Sequence, residues 1–416
     1  MKTGALIIGL LVLAAGLNGR DLVLRHGTVY TFDRGVLADT DLLLRDGRIF
    51  RIGKDLKTAS GTEEIDLQGK AVIPGIIDSH THIALLGGIN EAAENVTPEV
   101  DMADQVNPDD PSIFYCLTGG VTMVHTMHGS ANPIGGRNVT LKLKWGGSAE
   151  EMIENRATRT LKMALGENPK RAGGGKTLPS TRMGVTAVIR DALIEARAYA
   201  RKRSVPARGK VRGPYPPQAR NLRLEVLQQL LKGELVVRCH SYRADESLQL
   251  IRLAKEFGFT IRAFEHLHQA YRIADELAAA GIGISVFADN WNYKTEASEF
   301  TPFGMELLHR KGVVIALNSD TSEIMRRLYM EAGKMRRYAG MSDLEALKTI
   351  TLNPARLLGV EGFAGSIREG FDADLAVFDG DPLSGASKCV LTIIEGRIYF
   401  NREKDSRLKE SGEVKS

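Results

Sequence analysis

At 416 residues, with 43% hydrophobic and 25% charged residues, the chain has material for a large core in two or three domains, since an α/β barrel uses ~250 residues as one. A net charge of +4 and 6% aromatic residues, with no basic stripe interleaved with aromatics, argue against a nucleic-acid partner. The three cysteines, Cys116, Cys239 and Cys389, are far apart, lack C-x-x-C spacing and cannot form a full disulfide framework, so they read as small buried hydrophobes.

The first element is a leader. Lys2 precedes the apolar run Ala5 to Leu17, which is short for a bilayer span but suits a secretory leader over residues 1–19, with Ala14, Ala15 and Gly16 near a cleavage point. Export to the periplasm or medium is therefore expected. No lipobox cysteine follows and no later run is long and apolar enough to span a membrane, so no anchor is expected after cleavage. Residues 21–52 then alternate apolar and polar residues between Gly and Asp turns, and the same texture returns in "GSIREGFDADLAVFDGDPL" and "KCVLTIIEGRIYFN". This predicts a small β-sandwich domain composed of residues 20–73 and 365–405.

Between them, residues 74–364 alternate apolar strands and amphipathic helices, the pattern of an α/β fold with a parallel sheet. Eight strands are predicted: Val72–His80, Val121–Thr126, Val139–Leu143, Lys162–Glu167, Leu235–His240, Thr260–His266, Ile282–Phe287 and Val313–Asp320. Glu246 to Phe257 reads as a helix closed by Gly258, and Ser342 to Glu345 as a capping box opening a helix to about Thr351. Eight strands with helices between them predict a (β/α)8 TIM-type barrel, which places its chemistry at strand C-termini. Residues 168–220, with Gly173 to Gly175 and Pro214, Pro216 and Pro217, interrupt the repeat and read as a lid, or as an oligomer contact.

The strongest chemical signal is Pro74-Gly75-Ile76-Ile77-Asp78-Ser79-His80-Thr81-His82. Two histidines at this spacing project from one strand face and can converge on a cation at roughly 2.0–2.1 Å. Glu167, His240, His266 and Asp320 each end another apolar run and point to the same mouth. Alternation turns Cys239 to the helices and His240 to the site. Arg243 can hold a substrate carboxylate, or simply pair with Asp245 or Glu246; Arg182 and His125 are further substrate-contact candidates, and Trp291, Tyr293 and Lys294 are placed to line the pocket.

These residues carry a resemblance. The nonapeptide ending in His82, the strand-end His240 and His266, and Asp320 resemble the amidohydrolase superfamily of metal-dependent hydrolases. "GGVTMVHTMHGSANPIGG", "LKMALGENPKR", "STRMG", "CHSYRADE" and "TLNPARLLG" resemble its imidazolonepropionase-like branch. The resemblance implies one or two divalent ions, with Zn²⁺ favoured: His80, His82 and Asp320 on the first, His240 and His266 on the second. Glu167 would bridge them where many relatives use a carboxylated lysine. Lys162 is placed at the start of that strand, too far from the mouth.

The resemblance implies hydrolysis of a C–N bond other than a simple peptide bond, in a cyclic amide, N-acyl amino acid or dipeptide-like compound. Asp320 would accept the proton of the attacking water. The alternatives are deamination of a ring amidine and a non-catalytic scaffold, the latter disfavoured because all six ligand positions are filled. The expected partner is a small-molecule substrate, with homo-oligomerisation left open.

Overall fold

The structure, a computed structural model, describes residues 21–172, 177–204, 219–290 and 292–405. The expected leader, Trp291, and residues 173–176 and 205–218 of the expected lid lie outside them.

The chain opens with β1 (Leu22–Thr31), β2 (Gly35–Arg45), β3 (Arg48–Gly53), β4 (Glu63–Asp66) and β5 (Ala71–Pro74). Asp46 and Gly47, both at positive φ (50° and 76°), make the two-residue turn that joins β2 to β3. The middle strands are β6 (Ile76–Thr81), β7 (Val121–Thr126), β8 (Ile134–Arg137), β9 (Val139–Lys142), β10 (Thr160–Ala164), β11 (Val236–His240), β12 (Ile261–Glu265), β13 (Gly283–Val286) and β14 (Ile315–Leu317). The chain closes with β15 (Leu375–Phe378), β16 (Cys389–Ile394) and β17 (Arg397–Asn401).

Strands from both ends form one eight-stranded sheet in the order β17-β16-β15-β5-β1-β2-β3, with β4 paired to β1. It has its own hydrophobic cluster, in which Leu24, Leu42 and Val72 meet Leu375, Val377 and Ile393. In the middle of the chain, β10 to β14 pair in parallel in consecutive order, and β6 pairs in parallel with β7. Every residue of β6, β7, β10 and β11 is buried, as expected of parallel strands covered on both faces.

The predicted third strand is present as β9 but runs antiparallel to β7. No helix separates the two, and a parallel return needs a crossover of a dozen or more residues, usually helical. The predicted fourth strand is shorter at its C-terminal end. It stops at Ala164, and Glu167 already begins a helix.

The crossover helices bury the faces that the apolar spacing marks. Helix Ala244–Phe257 buries Leu250, Ile251, Ala254 and Phe257 and stops at Gly258, whose φ of 74° is costly for other residues. Ser342 and Glu345 form the capping box of helix Asp343–Lys348. Within the expected lid, helix Arg182–Ser204 sends Val185, Ile189, Leu193 and Ala196 into the main core. No described helix is long and apolar enough to cross a membrane.

Candidate metal centre

The ends of four parallel strands converge on one cavity of about 280 Å³ lined by His80, His82, His240, His266, Asp320 and Lys162. The side chain of His80 projects from β6, and His82 follows immediately after it. His240 ends β11, His266 directly follows β12, and Asp320 lies three residues past β14. Cys239 instead packs in the apolar core.

His266 and Asp320 both adopt left-handed backbone conformations, with φ of 68° and 58°. A non-glycine residue held there costs of order 1–3 kcal/mol and persists only where its surroundings enforce it. Here the enforcing bonds are His266 N–H to Ser285 O (2.7 Å) and Asp320 N–H to His80 O (3.2 Å).

The rings are oriented by their neighbours. His82 Nδ1 lies 2.8 Å from Met127 O, which leaves Nε2 to face Asp320 Oδ1 at 3.2 Å. His266 is stacked between Tyr242 and Phe287. His80 Nε2 stands 3.9 Å from Asp320 Oδ1, and His266 Nε2 stands 4.0 Å from Asp320 Oδ2. Burial depresses the basicity of His80 and His240 strongly and brings His266 down to about 4, so these imidazoles are neutral and keep a lone pair for a cation. Burial alone would raise the carboxyl of Asp320. The hydrogen bond from His82 and the electrostatic pull of the imidazoles and Lys162 around it outweigh it and hold Asp320 well below the usual carboxylate range.

The structure places one expected ligand outside the cavity. Glu167 is absent from the cavity lining; its carboxylate pairs with Lys170 and Arg182 (2.9 Å each) beside a neighbouring cleft. The strand ends before it, so the turn and helix start carry it off the strand axis. Lys162, in the middle of β10, places its Nζ 3.2 Å from His80 Nε2. Burial pushes this amine down to about 8 against the pull of Glu265 and Asp320.

The three substrate-contact candidates are placed elsewhere too. His125 is buried with its two ring nitrogens 2.9 Å from Thr140 Oγ1 and Thr160 Oγ1, so both are already matched. Arg243 pairs with Asp245 at 2.8 Å, the simpler alternative open to it. Arg182 is taken up by Glu246 (2.6 Å), Glu296 (2.9 Å) and Glu167.

Beneath the cavity lies a pair that sequence reasoning missed. Arg238 and Glu265, both fully buried, meet at 2.6 Å, and the second oxygen of Glu265 lies 3.7 Å from His80 Nδ1. Asp78 accepts hydrogen bonds from the His80 N–H and from Ser319, while burial raises its carboxyl to about 7. Both acids brace the strand-end histidines from behind.

These residues fit a divalent cation. Ligand atoms of His80, His266 and Asp320 all lie within 4.8 Å of one another. His80 Nδ1, His266 Nδ1 and Asp320 Oδ1 are buried without a hydrogen bond of acceptable geometry. Buried polar atoms are rarely left so without a role or an ion. A larger cavity of about 1090 Å³ lies against the terminal sheet, but no histidine lines it.

Comparison with known proteins agrees with this geometry. A profile described as the Amidohydrolase family matches residues 71–404. The amidohydrolase tasK of Hapsidospora irregularis is 33% identical over 393 residues, covering 87% of this chain and 40% of that protein, so the chain spans less than half of that relative. An imidazolonepropionase of Sphingopyxis alaskensis is 26% identical over 406 residues, covering 86% and 91% of the two chains. Among solved structures, an amidohydrolase from Thermotoga maritima is 36% identical with a TM-score of 0.84, over 92% of this chain and 100% of that one. The chain therefore belongs to the amidohydrolase family.

Proposed function

We propose that the chain hydrolyses a non-peptide C–N bond of a small molecule, a cyclic amide, N-acyl amino acid or dipeptide-like compound, at a centre of one or two divalent cations. The observation that carries this reading is the convergence of ligand-type atoms from His80, His266 and Asp320, side chains that each also carry a buried atom without a hydrogen bond, beside His82, His240 and Lys162. His80, His82 and Asp320 would hold one cation and His240 and His266 the other. Lys162, near His80 and with a lowered pKa, would take the place expected of Glu167 in holding the cations. Its neutral amine could add to carbon dioxide and release a proton, and the resulting carboxylate would then help hold the cations, as the carboxylated lysine of many relatives does.

Nitrogen-rich donors suit Zn²⁺. When bound, such an ion polarises the scissile carbonyl and acidifies water. The rest falls to the chain. Asp320, held ionised, accepts a proton from the attacking water and returns it to the leaving nitrogen. Tyr242 and Phe287 keep His266 in plane, and Asn168 Nδ2, 3.3 Å from His240 Nε2, steadies that ring.

We read β6, β7 and β10 to β14 as parts of one (β/α)8-type barrel beside a terminal β-domain, a reading supported by their parallel order. The apolar run Ala5 to Leu17 supports export. A panel of cyclic amides, N-acyl amino acids and dipeptides tests the function, before and after chelation. Turnover that disappears on chelation and returns with Zn²⁺ or Mn²⁺ is expected. Ammonia release from ring amidines alone would turn the reading to deamination, and no turnover of any compound by metal-loaded protein would overturn it.

A further inference from the structure

We propose that the pocket is built for a substrate bearing a carboxylate close to the scissile C–N bond, and that Lys294 binds that carboxylate. The inference rests on the hydrolase reading above and narrows its substrate class.

The charge of the cavity is the first observation. Among the described residues that line it, Asp320 is the one acid, and the sequence pattern and geometry assign it to the cation. Lys294 lines the same cavity, and bound cations would add positive charge beyond what Asp320 and a carboxylated Lys162 offset. A neutral substrate gains little from such a field, whereas an anion is drawn into it and held.

The second observation is how Lys294 is held. Its Nζ lies 4.0 Å over the face of Tyr242 and 3.3 Å from Asn168 Oδ1. Asn168 reaches back to His240 Nε2 at 3.3 Å and to Ser130 Oγ at 2.8 Å. The amine is therefore two hydrogen bonds from a proposed ligand histidine, fixed against a ring that also stacks on His266. It also pairs with Glu296 at 3.6 Å, a carboxylate that it shares with Arg182 at 2.9 Å and with the Glu167 N–H at 3.1 Å.

The third observation is position. Arg182 and Arg243 line the neighbouring cleft and not this cavity, whereas Lys294 lines both. Beside Lys294 the hydroxyls of Tyr242 and Tyr293 meet at 2.7 Å, which leaves one of their two protons to donate to a second carboxylate oxygen.

The test uses matched pairs, N-acetyl amino acids and N-glutaryl amines, each beside the amide in which the carboxylate is replaced by a carboxamide. Wild-type protein is expected to favour the acid of at least one pair by about tenfold or more in kcat/KM, the scale of a charge-assisted hydrogen bond. In Lys294→Met the acid-to-amide ratio should collapse towards one, mainly through KM. Lys294→Arg should recover part of it, and circular dichroism checks that both variants fold. An unchanged ratio in Lys294→Met, or equal turnover of acid and amide by wild type, overturns the inference and leaves the hydrolase reading standing. If nothing turns over, calorimetry on metal-free protein with the same pairs decides separately. Tighter binding of an acid that is lost in Lys294→Met supports the carboxylate site. Equal binding, or none, overturns it.

Discussion

Among the described residues, two groups of three side chains bring ligand-type atoms within 4.8 Å of one another: His80, His266 and Asp320 at the strand ends, and Glu154, Asp372 and Glu395 where β9 meets the terminal sheet. Their surroundings differ. In the second group the cations are supplied by the chain. Lys142 Nζ lies 2.6 Å from Asp372, 3.0 Å from Asp374 and 3.0 Å from Glu395, and Arg156 reaches Glu154 and Asp372 at 2.6 Å. In the first group the donors are mostly neutral imidazoles, and several of their atoms meet no hydrogen-bond partner. Spacing alone therefore does not distinguish a metal site from an ion-pair cluster; whether the chain supplies its own cations against the carboxylates does.

The sharpest way to separate the two groups is to remove one key member of each. Asp320→Asn should lower kcat by about a hundred- to ten-thousand-fold, the range for loss of a general base, while the melting temperature changes little. Lys142→Met should do the reverse. It strands buried carboxylates and should reduce unfolding free energy by about 3–5 kcal/mol in denaturant titration, with catalysis by the remaining folded protein retained.

Acid sharpens the contrast further. Burial raises the carboxyls of Asp372, Glu154 and Glu395, but Arg156 and Lys142 overcome it and hold all three low. Their stabilisation is thus present above the unfolded carboxylate pKa of about 4 and fades as pH falls through the lower folded values. Asp374, raised by burial, opposes this in part. The stability gap between wild type and Lys142→Met should therefore narrow below about pH 4, and a gap constant from pH 7 to 3 would break the comparison. The smallest effect is expected at Arg243. Its partner Asp245 is 62% exposed, so Arg243→Ala should change stability by less than about 0.5 kcal/mol and kcat/KM by less than about twofold.

Much of the site was legible because histidines at the ends of apolar runs share one direction in a parallel sheet. His80, His82, His240, His266 and Asp320 share one cavity for that reason. The terminal sheet was legible from alternation and from Asp-Gly turns such as Asp46-Gly47. What misled was the length of one strand. Extending β10 to Glu167 put Lys162 at its start, whereas the strand ends at Ala164 and the long lysine side chain reaches His80.

A signal was available. Lys162, Arg238 and Glu265 are charged residues inside apolar strands, where burial is costly unless a partner or function offsets it. Arg238 stands two residues before His240 and so shares its face. The fate of Arg182 and Arg243 was beyond spacing rules, because their acidic partners sit on loops and helices brought together only by the fold.

The metal content of purified wild type, Lys162→Ala and Glu167→Ala, measured side by side by elemental analysis, tests the centre most directly. About two equivalents in wild type and Glu167→Ala, falling to one or fewer in Lys162→Ala, is the expected result. Metal lost from Glu167→Ala but kept by Lys162→Ala would contradict it, and no metal in any of the three, with none taken up from added Zn²⁺ or Mn²⁺, would remove the metal centre altogether.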